Sequence, residues 1–160
     1  MNWDAIGAIG EIVGGLAVLV TLVYLALQIR QNTTQAKAAS HHAISDSLNQ
    51  INILFGQSTE VSALYVKGME DRSSLTNEQR WQFDAILRAY FHVCETMYFQ
   101  SNVGTGDRGI VMAEERGMKI ILTSSGGRES WKENPFGFSI EFRAYVEQFV
   151  ESDTDSENER

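Results

Sequence analysis

Cysteine, proline and positive charge are all scarce in this 160-residue chain, and each shortage excludes something. A lone Cys94 forms no intrachain disulfide and builds no multi-thiolate zinc site, which fits a reducing compartment. With Pro135 as the single proline, long helices meet few breaks. Thirteen Lys and Arg stand against 21 Asp and Glu, and the resulting charge of −8 repels phosphate backbones. Nucleic acid is therefore not an expected partner. Alternation of period two is also lacking, so no stretch reads as a strand. The last ten residues, "ESDTDSENER", have no apolar side chain to bury, and residues 151–160 read as a disordered acidic tail.

What the chain does have is one long apolar run. Ile12 to Leu27 is free of charge, and extending back to Ala5 gives 23 residues interrupted only by Glu11. As a helix such a run measures about 34 Å, enough to cross a hydrocarbon core of roughly 30 Å with some tilt. Membrane lipid is thus an expected partner of residues 1–30. The leader "MNWD" carries no base and no small-residue cleavage site follows, so a cleaved signal peptide is disfavoured. Asp4 precedes the run while Arg30 and Lys37 follow it, which predicts the N-terminus outside and the rest of the chain cytoplasmic at an inner membrane.

Three of the four glycines of this run begin a regular seam. Gly7, Gly10, Gly14, Ala17, Thr21, Tyr24 and Gln28 step by three and four, which places them on one helical face and predicts a homo-oligomer interface. Small side chains let helix backbones approach closely in lipid, and "GEIVG" has the small-xxx-small spacing. Glu11 lies at the edge of that seam. A carboxylate there must face a partner helix, a water-filled lumen or the headgroup layer. One reading is a ring of carboxylates in a homo-oligomeric channel; the plainer one is a residue reaching the outer interface near Asp4.

Beyond Arg30 the chain lacks Gly and Pro until Gly56, so the first helix continues as a stalk with Ile44, Leu48, Ile51 and Phe55 on one side. A short helix follows around Glu60 to Met69. Thr76 and Gln79 have capping-box spacing, opening a core helix with Phe83, Ile86, Leu87, Tyr90, Val93, Cys94, Met97 and Tyr98 inward. "IVMAEERGMKIILTS" reads as another helix, stopped by Gly126 and Gly127. A short turn with Trp131 ends at Pro135, and Ser139 opens the last helix. The expected fold is all-α: a transmembrane helix and stalk, then a small cytoplasmic helical bundle over residues 31–150.

No catalytic motif emerges, so no cofactor is expected and a non-enzyme is favoured. His42 with Asp46 and His92 with Glu95, joined by His41, form the one set from which a metal-binding or enzymatic bundle could be drawn. Their order reverses the Glu-x-x-His of di-iron carboxylate bundles. Glu95, set in "VCETMYF", needs a partner if buried, and Arg88 or Arg143 could form a buried ion pair with it. "GTGDRG" resembles a phosphate loop only in its glycines. Cys94 lies on an apolar helical face as a small core residue.

The opening "MNWDAIGAIGEIVGGLAVLVTLVYLALQIRQNT" resembles that of a widespread group of uncharacterised bacterial proteins. The likeness extends through "LYVKGMED", "CETMYFQ" and "SIEFRAYVEQF" to about Val150 and departs in the acidic tail. It implies a glycine-bearing membrane span followed by a helical domain, and it implies no activity or catalytic residues. The function expected is that of a self-associating single-pass membrane protein whose acidic helical domain binds or scaffolds a protein partner.

Overall fold

The computed structural model describes residues 2–106, 108–134 and 137–158, excluding the side chains of residues 5 and 151–158. Six α-helices follow one another: α1 (Trp3–Gln57), α2 (Thr59–Glu70), α3 (Asn77–Asn102), α4 (Arg108–Thr123), α5 (Ser125–Glu133) and α6 (Ile140–Asn158), with a 3-10 turn at Arg72–Ser74. There is no strand among the described residues, and the fold is all-α.

Two compact units divide the chain at Met1–Ala39 and Ser40–Arg160. The first is the apolar part of α1, long and apolar enough to cross a membrane, with no side chain of its most apolar window buried. The second begins beyond the boundary drawn at Arg30, because packing starts where α1 first meets the rest of the unit. The Ser40 hydroxyl donates to Gln100 Oε1, and Ile44 is the first buried side chain. Leu48, Ile51 and Phe55 then continue that face as half-buried residues.

Helix α3 is the axis of the second unit. Thr76 Oγ1 accepts from Gln79 N–H while the Gln79 side chain accepts from Thr76 N–H, which satisfies two donors that a helix start would otherwise leave without partners. Phe83, Leu87, Phe91, Cys94 and Met97 then point inward and meet Met118, Ile121 and Leu122 of α4, Trp131 of α5, and Phe142 and Val146 of α6. Phe83 and Phe142 have no exposed surface, and burying each contributes about 1.5–3 kcal/mol. Ring centroids 4.8 Å apart for Phe91 and Trp131, and 5.2 Å for Trp131 and Phe138, join α3, α5 and the approach to α6 through offset aromatic contacts.

Two boundaries differ from expectation. Gly126 and Gly127 do not stop a helix: α4 ends at Thr123, Ser124 caps the next helix by accepting from Gly127 N–H, and both glycines lie buried inside α5. They are small because of a close crossing, since a Cβ on Gly126 would overlap the carbonyl oxygen of Gly68 in α2. Trp131 accordingly sits on a helix rather than in a turn; Pro135, expected to end that turn, lies outside the described residues. The α6 backbone also continues past Val150 to Asn158, with no Gly or Pro intervening. The side chains of that segment, and residues 159–160, lie outside the description.

Candidate functional site

In the apolar unit, Gly7, Gly10, Gly14, Ala17, Thr21, Tyr24 and Gln28 are all exposed along α1. A Cβ added to Gly7, Gly10 or Gly14 would meet nothing within 4 Å, so the glycines serve no contact inside the chain. Thr21 Oγ1 donates to Ala17 O at 2.8 Å, which satisfies the hydroxyl within its own helix. Glu11 is exposed beside them. The helix is apolar all round, with Leu16, Leu19, Val23 and Leu27 also more than half exposed.

The second unit rearranges the expected chemistry. Glu95 is 22 % exposed, and its Oε1 accepts from Ser139 N–H at 2.7 Å, tying α3 to the start of α6. Its Oε2 lies 3.4 Å from His92 Nδ1. The expected buried pair of Glu95 with Arg88 is therefore not formed, and no ion pair joins Arg143 to Glu95 among the described residues. A backbone donor 44 residues away does the work assigned to a guanidinium. His41, His42 and Asp46 are exposed, whereas Ala43, Ile44 and Ser47 face His92 across a shallow hollow of about 270 Å³. No group of three or more His, Cys, Asp or Glu side chains converges among the described residues, so the facing ligand pairs of a metal bundle are not brought together. "GTGDRG" is likewise no phosphate cradle: the N–H groups of Thr105 and Gly106 both donate to Gln100 O. Asp107 lies outside the described residues.

Cys94 is 2 % exposed, and burial pushes its thiol up to about 12. Tyr90, whose pKa is also raised by burial, donates to Glu114 Oε2 at 2.7 Å. Both belong to the packed interior rather than to a reactive centre.

The polar centre of this unit is one that periodicity did not reveal. The Gly68–Gly126 crossing brings the 3-10 turn against α5 and leaves the Arg72 side chain only 3 % exposed. A buried guanidinium requires partners. Asp84 supplies a bidentate pair, accepting from Nε at 2.9 Å and from Nη2 at 2.8 Å, while Nη1 reaches Glu129 at 3.1 Å and Glu133 at 2.8 Å. Ser130 Oγ donates to Asp84 Oδ1 at 2.8 Å, and Asn134 Nδ2 donates to Oδ2 at 3.3 Å. Burial would raise the Asp84 pKa, but the hydrogen bonds and charge of Arg72, with Ser130 and Asn134, outweigh it and hold the carboxyl below its usual range.

Beside this network lies a cleft of about 400 Å³ lined by Arg72, Asn77, Arg80, Trp81, Asp84, Arg88 and Asn134. On α3, residues 77, 81, 84 and 88 step by four, three and four, so one face supplies most of the wall. The visible signal was Asp84, a charge placed between the core residues Phe83 and Leu87. Its partner Arg72 comes from a loop and carries no periodic mark. No family model, curated protein or solved structure matches this chain.

Proposed function

We propose that this is a single-pass membrane protein that self-associates through the glycine seam of α1 and displays an acidic helical domain as a binding or scaffold module. The observation that carries the reading is the seam itself: Gly7, Gly10 and Gly14 share one exposed face of an apolar helix, and nothing in their own chain lies within 4 Å of where a side chain would be. Glycine is unfavourable inside a helix by about 1 kcal/mol relative to alanine, so several on one face call for a compensating contact. Close backbone approach by a second copy provides it in lipid. Arg30 and Lys37 after the run support a cytoplasmic domain at a bacterial inner membrane, and the resemblance of the first thirty-odd residues to glycine-bearing bacterial spans agrees. Asp4 fits the outer headgroup layer, and Glu11, about two turns below it, reaches water from the edge of the seam.

The test is the mass of the full-length protein in an uncharged detergent. The 17.9 kDa chain is expected to run as an oligomer, and Gly10→Ile with Gly14→Ile should shift it to a monomer. An unchanged assembly size would remove the seam as the interface, and a water-soluble monomer without detergent would remove the membrane reading.

A further inference from the structure

The cleft beside Arg72 gathers arginines in a protein of net charge −8. Three arginines and one carboxylate line it. Asp84 adds little negative potential, because both of its oxygens are engaged by Arg72, Ser130 and Asn134. Arg72 is in turn held by Asp84, Glu129 and Glu133, three carboxylates on one guanidinium, so this cluster is itself net negative. Arg80 and Arg88 balance that excess across the cleft, and neither is in a direct ion pair among the described residues. Arg80 holds one long contact, Nη2 to Ser73 O at 3.5 Å, and its Nε is shut away from solvent with no acceptor.

The remaining wall says what else an occupant needs. Trp81 lines the cleft with its indole 72 % exposed, a flat apolar surface that no side chain of this protein covers. Asn134 donates its amide to Asp84 and to Ser130 O, so its carbonyl oxygen remains as an acceptor, and Asn77 adds a second amide. Guanidinium forks match the oxygens of a phosphate, and Arg80 and Arg88 stand on one wall of the cleft, about two turns apart on α3. The volume, about 400 Å³, lies in the range of small-molecule sites.

We infer that this cleft binds a phosphate monoester bearing a planar group, with Arg80 and Arg88 on the phosphate and Trp81 against the ring. The same phosphate chemistry could be presented by a soluble metabolite or by an anionic lipid headgroup. The inference does not depend on self-association of α1, since every residue of the cleft belongs to the second unit.

Calorimetry on the full-length protein in uncharged detergent tests it, with adenosine monophosphate, inorganic phosphate and adenosine as probes at constant ionic strength. Adenosine monophosphate is expected to saturate one site per chain, inorganic phosphate to bind more weakly and adenosine not at all. Replacing Arg80 and Arg88 with Gln, which keeps most of the side-chain stem, should weaken nucleotide binding by at least about tenfold. Trp81→Leu, at an exposed position, should bring the nucleotide down toward inorganic phosphate. Repeating the titration in nanodiscs of phosphatidylcholine and of phosphatidylglycerol separates the sources: weaker nucleotide binding only in the anionic discs identifies a headgroup as competitor. Equal binding in both identifies a soluble ligand. The inference is overturned if no probe saturates by about 10 mM, a Kd beyond which binding would be weaker than about −3 kcal/mol. It is equally overturned if the Arg80→Gln, Arg88→Gln variant, with the near-ultraviolet circular dichroism of the parent, binds as the parent does.

Discussion

Replacing Asp84 with alanine should cost the second unit about 3 kcal/mol. The magnitude follows from the surroundings of Arg72. Its side chain is 3 % exposed and Asp84 is 11 % exposed, so the pair is a buried one, and removing one partner of such a pair costs about 3–5 kcal/mol. Glu129 and Glu133 stay on Nη1 and keep part of the charge compensated, which sets the expectation at the low end. Ser130 Oγ and Asn134 Nδ2 lose an acceptor in the same step. For a unit of this size the loss corresponds to a fall in Tm of about 12 °C. Glu133→Ala serves as the comparison: its side chain is 57 % exposed, and such a pair is worth about 0.5 kcal/mol.

Thermal melts should be followed by near-ultraviolet circular dichroism, which reports the fixed packing of Trp131 with Phe91 and Phe138. Far-ultraviolet signal is less suitable because the apolar part of α1 stays helical in detergent. The pH dependence has a definite sign. Because the Asp84 pKa is lower folded than unfolded, its contribution is full above the unfolded value of about 3.9 and disappears as pH falls through the lower folded value. The gap between parent and Asp84→Ala should therefore narrow as pH falls through the folded value. A loss under about 1 kcal/mol, a loss equal to that of Glu133→Ala, or a gap that persists at low pH would refute the account of Arg72.

Gly126→Ala should destabilise by about 2 kcal/mol or more, because the new Cβ meets the backbone carbonyl of Gly68, which cannot swing aside as a side chain could. Gly7→Ala, with open space around it, should leave the same melt unchanged. Cys94, its thiol pushed up to about 12 by burial, should resist iodoacetamide at pH 8 in the folded protein and react only on unfolding; rapid native labelling would contradict its place in the core.

The helical class, the apolar run and most of the helices were legible because each rests on interactions within about four residues; α5 was not, and its segment reads as a turn. The capping box of Thr76 and Gln79 is an example: both bonds span three positions, and the structure forms both. The inward face of α3 followed in part from the recurrence of Phe83, Leu87 and Cys94, but Phe91, also buried, was not placed on it. Gly126 was misleading for the opposite reason. A glycine after an apolar run fits a helix stop and a close helix crossing alike, and only the position of Gly68 distinguishes them.

By itself the amino-acid sequence determined that this chain is helical, that it carries one helix long and apolar enough for a membrane, and that small residues share one face of it. Tertiary structure alone decided which charges meet. Arg72 reaches Asp84 across 12 positions and Glu129 across 57, and Glu95 reaches Ser139 across 44. Helical periodicity reports which face a residue occupies, and the cost of leaving a buried charge unpaired then selects partners from whichever elements the packing of Gly68 on Gly126 brings alongside.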